Sequence, residues 1–491
     1  MQGLKFTEVA ARAAELGHEV TQTRKVFLVP PPNVWRHLCE NPKSNIRIAE
    51  MEAHWYLLEL LKAMYGLVDG PLLFQLALLS FLVTDMQMSK SIHDENFLYW
   101  SDEWNLHAVF VVHVDDILMV ATQEFIDWAV SQIEERFGKV KQNGLPFTYL
   151  GVMHTMTGPG HMYLHQDAYL AKLKPIDLGK SHSRLEGSPL TKAEHFAFRS
   201  LLCSMLWVCL TRLDVIGALV QLQQEMVSPL YHHAKEANAL LRRAIKDAPG
   251  NGLHFRRLKE PLRICGISDS GHATKRSLNS QEGRMCLLMS DATQVSAQPE
   301  YTDADYCEDI FGGFGHPLFF SGKKSTRVSH STSHSESLAA VGTTQMAQLI
   351  AHRLSEPFAA YMLGKWPLKS ADFLHMQDIN LTIVPVDHVT DCMDLFELVT
   401  GERGLSNDKS QRIVISSLRE DRMRGNIRTV QHFPTAIMLA DGLTKEGIFP
   451  QLLRYCTSGY VGLYLPNGKQ IRLRVRPPTR SSTVNTDEVG G

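Results

Sequence analysis

Close-set cysteine pairs are missing from this chain. Its eight cysteines, Cys39, Cys203, Cys209, Cys265, Cys286, Cys307, Cys392 and Cys456, are scattered, and none falls into a C-x-x-C pair. That excludes the common zinc spacings and offers no disulfide framework. It fits a reducing, intracellular setting, cytoplasmic or nuclear. A charge surplus is missing too. The formal net charge is −2 over 491 residues, so any contact with nucleic acid has to come from local patches. Long apolar runs are also absent. The most apolar stretch, Leu72 to Val83, is interrupted by Gln75 and Ser80. It is too short to span a bilayer and reads as a buried helix. The opening residues, Met1 to Phe6, have no continuous apolar core, so neither a signal peptide nor a membrane partner is expected. With 44% hydrophobic and 21% charged residues, the chain reads as globular, with room for roughly two to four domains.

The most informative stretch is Val109 to Val120, where Asp115 and Asp116 sit between two apolar runs. Each run is rich in valine and isoleucine, as strands are. The simplest geometry is a hairpin with the aspartates at its tight turn. Paired carboxylates there suit divalent-metal chemistry in nucleotidyl transfer. The plain alternative is an ordinary acidic turn on the surface.

Around this stretch the pattern alternates between helix and strand. Helices are expected over 7–17, 49–64, 71–86, 123–137, 192–226 (broken near Thr211) and 230–247. Strands are expected from Arg24 to Val29, before three prolines, and at 96–100 and 108–112. Segments 147–152 and 160–165 read as a hairpin. After the Pro249–Gly252 loop a new unit opens, with five strands at 262–268, 283–289, 316–321, 381–386 and 427–433 and a helix over 335–355. That order suits a small mixed sheet with helices on its faces. Residues 290–311 carry Asp291, Glu300, Asp303, Asp305, Glu308 and Asp309 with no Lys or Arg, and read as a mobile acidic insertion. The tail, 476–491, reads as disordered.

A second set of carboxylates falls at element ends: Asp269 at the end of the first strand, Glu336 in the first turn of the helix, Asp391 after the fourth strand and Asp441 at a helix start. Taken singly, an acidic residue in a first helical turn or at an N-cap needs no function. Together, four on one sheet suit a site in which two Mg²⁺ ions about 4 Å apart hydrolyse a phosphodiester. Basic patches at Arg242-Arg243, Arg256-Arg257 with Lys259, Lys323-Lys324 with Arg327, and 472–480 offer phosphate contacts or merely solvated faces.

Several motifs, in one order, resemble the reverse transcriptase–ribonuclease H portion of copia-type retrotransposon Pol polyproteins. Lys62-Ala63-Met64-Tyr65-Gly66-Leu67 is similar to K-x-L-Y-G-L, and His113-Val114-Asp115-Asp116 to Y-V-D-D. Tyr149-Leu150-Gly151-Val152 is similar to F-L-G-I, and Phe198 to Leu202 with Leu210 to Val215 to Y-R-S-L-V…T-R-P-D-I. Ser268-Asp269-Ser270 resembles the D-x-D-W-A-G strand. Ser321 to Lys324 with Ser331 to Glu336 resembles S-S-K-K…S-S-T-E-A-E, and Leu439 to Lys445 resembles L-A-D-x-L-T-K.

The resemblance implies an α+β fold. A partial reverse-transcriptase fingers and palm (1–155) and thumb or connection helices (156–255) would precede a ribonuclease H-like domain (256–475) with a five-stranded mixed sheet. It implies Asp115 and Asp116 as polymerase metal ligands, and Asp269, Glu336, Asp391 and Asp441 as the nuclease ligands. The cofactor would be Mg²⁺ or Mn²⁺. The partner would be an RNA–DNA hybrid, or an RNA template with a DNA primer. Asp391 is preferred over Asp387 because Thr390-Asp391-Cys392 is similar to the family's C-D-N segment. The family's first palm aspartate, in D-x-x-x-A-F-L-x-G, has no counterpart here. The sequence is thus expected to be an N-terminally truncated copy with an incomplete polymerase site and a complete nuclease site. The alternative is a non-catalytic nucleic-acid-binding remnant.

Overall fold

The computed structural model describes residues 26–41, 57–60, 67, 70–102, 105–179, 184–272, 280–291, 313–447, 449–461 and 474–476. The helix expected at 7–17, the Lys62–Gly66 motif, 292–311 of the acidic insertion and the tail from 477 lie outside these residues. The fold is mixed α+β and divides into two compact units: 1–142 with 356–373, and 143–355 with 374–491.

In the first unit, strands β1 (Val26–Leu28) and β2 (Leu58–Leu60) pair antiparallel. Leu58–Leu60 therefore corrects the helix expected over 49–64. Glu59 is exposed between two half-buried leucines, an alternation of period two that suits a strand. The last of the three prolines, Pro32, does not end the structure but opens a helix, Pro32–Glu40, at a position where no backbone N–H is needed. The apolar run folds as the helix Gly70–Thr84. It packs through Leu78, Leu79 and Leu82 with Leu98, Phe110 and Ile133. Those partners come from a four-stranded antiparallel sheet, β3 (Ser89–Lys90), β4 (Phe97–Ser101), β5 (Leu106–His113) and β6 (Asp116–Ala121), and from the helix Gln123–Phe137. The Thr122 hydroxyl caps that helix by accepting from the Phe125 N–H.

The second unit holds two sheets. The first runs β7 (Phe147–Tyr149), β8 (Val152–Gly158), β9 (His161–His165), β10 (Leu253–Arg256) in spatial order. The expected single hairpin is thus two successive hairpins plus a returning strand. Leu150 and Gly151, at φ 46° and 77°, make a tight turn inside what reads as one continuous strand. The helices Lys192–Val208, Ile216–Gln223 and Tyr231–Lys246 follow. The break near Thr211 is fixed by Arg212, which is buried, pairs with Asp214 at 2.8 Å and donates to the Ala244 carbonyl.

The second sheet has seven strands among the described residues, not five. They are β11 (Leu262–Gly271), β12 (Gln281–Ser290), β13 (Gly313–Lys324), β14 (Val386–Thr390), β15 (Thr429–His432), β16 (Tyr460–Val461) and β17 (Arg474–Arg476). Their order is β16-β13-β12-β11-β14-β15-β17. The two extra edge strands are too short to leave a pattern in the sequence. β11, β12 and β13 are antiparallel neighbours, and β14 and β15 run parallel to β11. The fourth strand starts at Val386, later than the expected 381–386. Leu381 still closes the preceding helix through the Met376 carbonyl, and Pro385 has no N–H to give a ladder.

Both faces of β11 are covered, as its run of buried residues requires. Ile264 packs with Ala347, Ile350 and Ala351 of the long helix Thr332–Ser355, and Gly266 lies close to Thr343 on the same side. Cys265 and Ile267 belong to the core shared with Leu213, Leu219 and Leu443. Asp291 is not part of a mobile segment. It is buried and paired with Arg428, which also binds Asp387.

Candidate metal-ligating cleft

Strand register creates the cleft. β11 and β14 are parallel, with Ile267 opposite Val389. Two residues further along stand Asp269, still in β11, and Asp391, just past the end of β14, so both carboxylates leave the same end of the sheet. The helix Thr332–Ser355 runs along the sheet face with its first turns at that end, where it supplies Glu336. One oxygen from each of Asp269, Glu336 and Asp391 lies within 4.8 Å of the others. Among the described residues these three form the one such grouping of potential metal ligands.

Each carboxylate is held by its neighbours. The Ser270 N–H donates to Glu336 Oε1 at 3.1 Å, and the Thr444 hydroxyl donates to Asp269 Oδ2. Ser270 and Ser335 bond through their hydroxyls, tying strand to helix. Glu336 Oε2 is buried and has no hydrogen-bond partner among the described residues. A buried carboxylate oxygen without a donor is costly unless a proton or a cation meets it.

Asp441 arrives from the other side, on the turn Asp441–Thr444. It pairs with Lys445 at 2.5 Å, and the same ammonium lies 3.8 Å from Asp269. Three glycines, two on the sheet and one on the helix Ile216–Gln223, let this turn sit so close. A Cβ on Gly283 would come within 2.7 Å of the Ala440 carbonyl oxygen and the Thr444 methyl. One on Gly322 would meet the Leu443 oxygen at 2.5 Å, and one on Gly217 the Lys445 oxygen at 2.5 Å.

The electrostatics follow from crowding. Burial first, then the charges of Asp269 and Asp391, push the Glu336 carboxyl well above its ordinary range. Burial and Asp269 also raise Asp391. Burial and Asp269 raise Asp441 to about 7, even with Lys445 beside it. Carboxylates crowded in this way are relieved by either a proton or a cation, so an ion bound here would release their protons and bind more tightly as pH rises. All-oxygen donors suit a hard divalent ion. The cleft encloses about 1140 Å³, and His272, Thr435 and His232 stand on its walls with the carboxylates.

The other candidate residues lie elsewhere. Asp115 is at the tip of the β5–β6 hairpin and Asp116 pairs in register with His113; both are exposed. Val114, at φ 58°, turns the chain there, an uncommon conformation for a β-branched residue. Asp387 points into a buried ion-pair network, 3.1 Å from Arg263 and 2.6 Å from Arg428. Of the basic patches, Lys323, Lys324 and Arg327 are exposed. Gly271, Gln281 and Lys324 are successive register partners across β11, β12 and β13, so these lysines lie at the carboxylate end of the sheet. Arg256 is instead engaged with the Ser458 carbonyl and the Phe314 ring.

Sequence reasoning missed Thr444, Lys445, Ser270 and the three glycines. The signal for the first two was present: three and four residues after Asp441, both share its face of a helical turn.

No known family model matches the chain. A retrovirus-related Pol polyprotein from transposon RE1 of Arabidopsis thaliana is 24% identical over 406 residues, 79% of this chain. The matched stretch is 24% of that polyprotein's own length. Over most of its residues, then, the chain is similar to a part of a retrotransposon Pol polyprotein.

Proposed function

We propose that this is a retrotransposon-derived Pol segment whose second unit contains a ribonuclease H, over 256–475, cutting the RNA strand of an RNA–DNA hybrid with Mg²⁺ or Mn²⁺. The observation that carries the reading is the trio Asp269, Glu336 and Asp391, with oxygens within 4.8 Å and one buried oxygen of Glu336 unpartnered. The sheet order agrees: three antiparallel strands followed by two parallel ones, as in ribonuclease H-like folds. A divalent ion on these carboxylates would lower the pKa of a bound water and polarise the phosphate.

The chain's own residues prepare the site. Ser270 and Thr444 orient Glu336 and Asp269 through their hydrogen bonds. Lys323 and Lys324 offer sequence-independent phosphate contacts at the same sheet end. The first unit would then be the reverse-transcriptase portion, with Asp115 as metal ligand and Asp116 in support.

The test is cleavage of an RNA–DNA hybrid by the folded full chain with Mg²⁺ or Mn²⁺, with Asp269→Asn as control. RNA cleavage that the substitution stops is the expected result. A folded chain that binds hybrid but neither binds Mn²⁺ nor cleaves would establish the binding-remnant reading instead.

A further inference from the structure

The cleft has two sides of different character. On one, Asp269, Glu336 and Asp391 present only oxygens, one of them buried and unpartnered. On the other, a cation is already part of the chain. The Lys445 ammonium lies 2.5 Å from Asp441 and 3.8 Å from Asp269. Its backbone is fixed as well: the Lys445 N–H donates to the Asp441 carbonyl at 3.1 Å, and the Lys445 carbonyl lies against Gly217, where no Cβ would fit. The lysine therefore does not swing in from a loose loop but is held at the site by a packed turn.

The ion pair then decides what else fits. Four carboxylates facing one ammonium and one divalent ion keep a single net negative charge. A second divalent ion would have to break the 2.5 Å ion pair or lie beside the ammonium against like charge. We propose that Lys445 is the second cation of this cleft, so that the site takes one divalent ion, on Asp269, Glu336 and Asp391, rather than two. This rests on the hydrolase reading above and makes it more specific. Lys445 is a positioning residue in this scheme: it neutralises Asp441 and Asp269, and its side chain, 40% exposed, lines the cleft.

The experiment is a Mn²⁺ titration of the full chain, followed by calorimetry for stoichiometry and by electron paramagnetic resonance for spin coupling. One magnetically isolated Mn²⁺ per chain is expected for the wild type and for Lys445→Arg. For Lys445→Met, two coupled ions are expected. Two coupled ions in the wild type, or one ion in both wild type and Lys445→Met, would overturn the assignment. Two coupled ions in the wild type overturn the assignment on their own, and if Lys445→Met fails to fold, Lys445→Gln carries the same comparison. A wild-type chain that cleaves hybrid with two coupled ions loses only the role given to Lys445. A folded wild-type chain that binds no Mn²⁺ loses the hydrolase reading with it.

Discussion

Asp115 and Asp116 are adjacent in sequence and sit exposed at the tip of one hairpin; Asp269, Glu336 and Asp391 are far apart in sequence and buried or half-buried in one cleft. The tip needs only local geometry. A two-residue turn with Val114 at positive φ sets it, and water solvates its charges. The cleft needs strand register, a helix whose first turns reach the sheet end and glycines that admit a close turn. Like charges that water would have kept apart are there forced together and raised in pKa. The lesson is that adjacency in sequence made the more visible motif, whereas convergence in the fold made the more crowded and more strongly perturbed one.

If the cleft is a built site and the tip is not, substitutions should separate them. The largest effect is expected toward the other end of the same two strands. Asp387→Asn strips Arg263 and Arg428 of their shared carboxylate inside a dry network, at a cost of ~3–5 kcal/mol. Thermal melting should fall steeply, and an unchanged melting temperature would mean the network is not closed. Next, Gly217→Ala drives a Cβ toward the Lys445 and Gly442 carbonyls, costing ~1–3 kcal/mol and loosening Mn²⁺ binding in the same protein. Calorimetry on that variant checks both.

A smaller effect of opposite sign is expected from Glu336→Gln without metal. Glu336 keeps its proton in the folded state far above the pH at which it loses it when unfolded. Its contribution to stability is therefore greatest at low pH and declines as pH rises from about 4.3 through the folded pKa. Glutamine does not titrate. The variant should match wild type near pH 4 and melt higher at pH 8, by the equivalent of ~1 kcal/mol. Taking the difference matters because His388, lowered to about 4 by burial, loses stability in the other direction as pH falls from about 6.5. The smallest effect belongs to the tip: Asp116→Asn should change stability by less than ~0.5 kcal/mol at any pH. A shift of several degrees would show that the tip is more than a solvated turn.

Much of this was legible in the sequence. The Gln123–Phe137 helix and the β5–β6 hairpin follow from local periodicity alone. The elements carrying Asp269, Glu336, Asp391 and Asp441 could be placed because strand ends and helix starts leave compositional marks. Register could not be read. Asp387 lies on a short strand and Asp391 just past its end; resemblance favoured Asp391, but it took the pairing of Ile267 with Val389 to give the physical reason that one is an ion-pair anchor and the other a cleft carboxylate. The helix expected at 49–64 failed at Leu58–Leu60 because pairing with Val26–Leu28 overrides local propensity. Lys445 escaped notice because its role depends on a turn pressed against three glycines from distant parts of the chain.

The most direct test of the contrast is Mn²⁺ affinity measured by calorimetry on the full chain in two variants, Asp269→Asn and the Asp115→Asn/Asp116→Asn pair. The account predicts that Asp269→Asn abolishes tight binding while the hairpin double variant binds as the wild type does. Retained binding in Asp269→Asn together with loss in the double variant would place the metal site at the hairpin tip and contradict it.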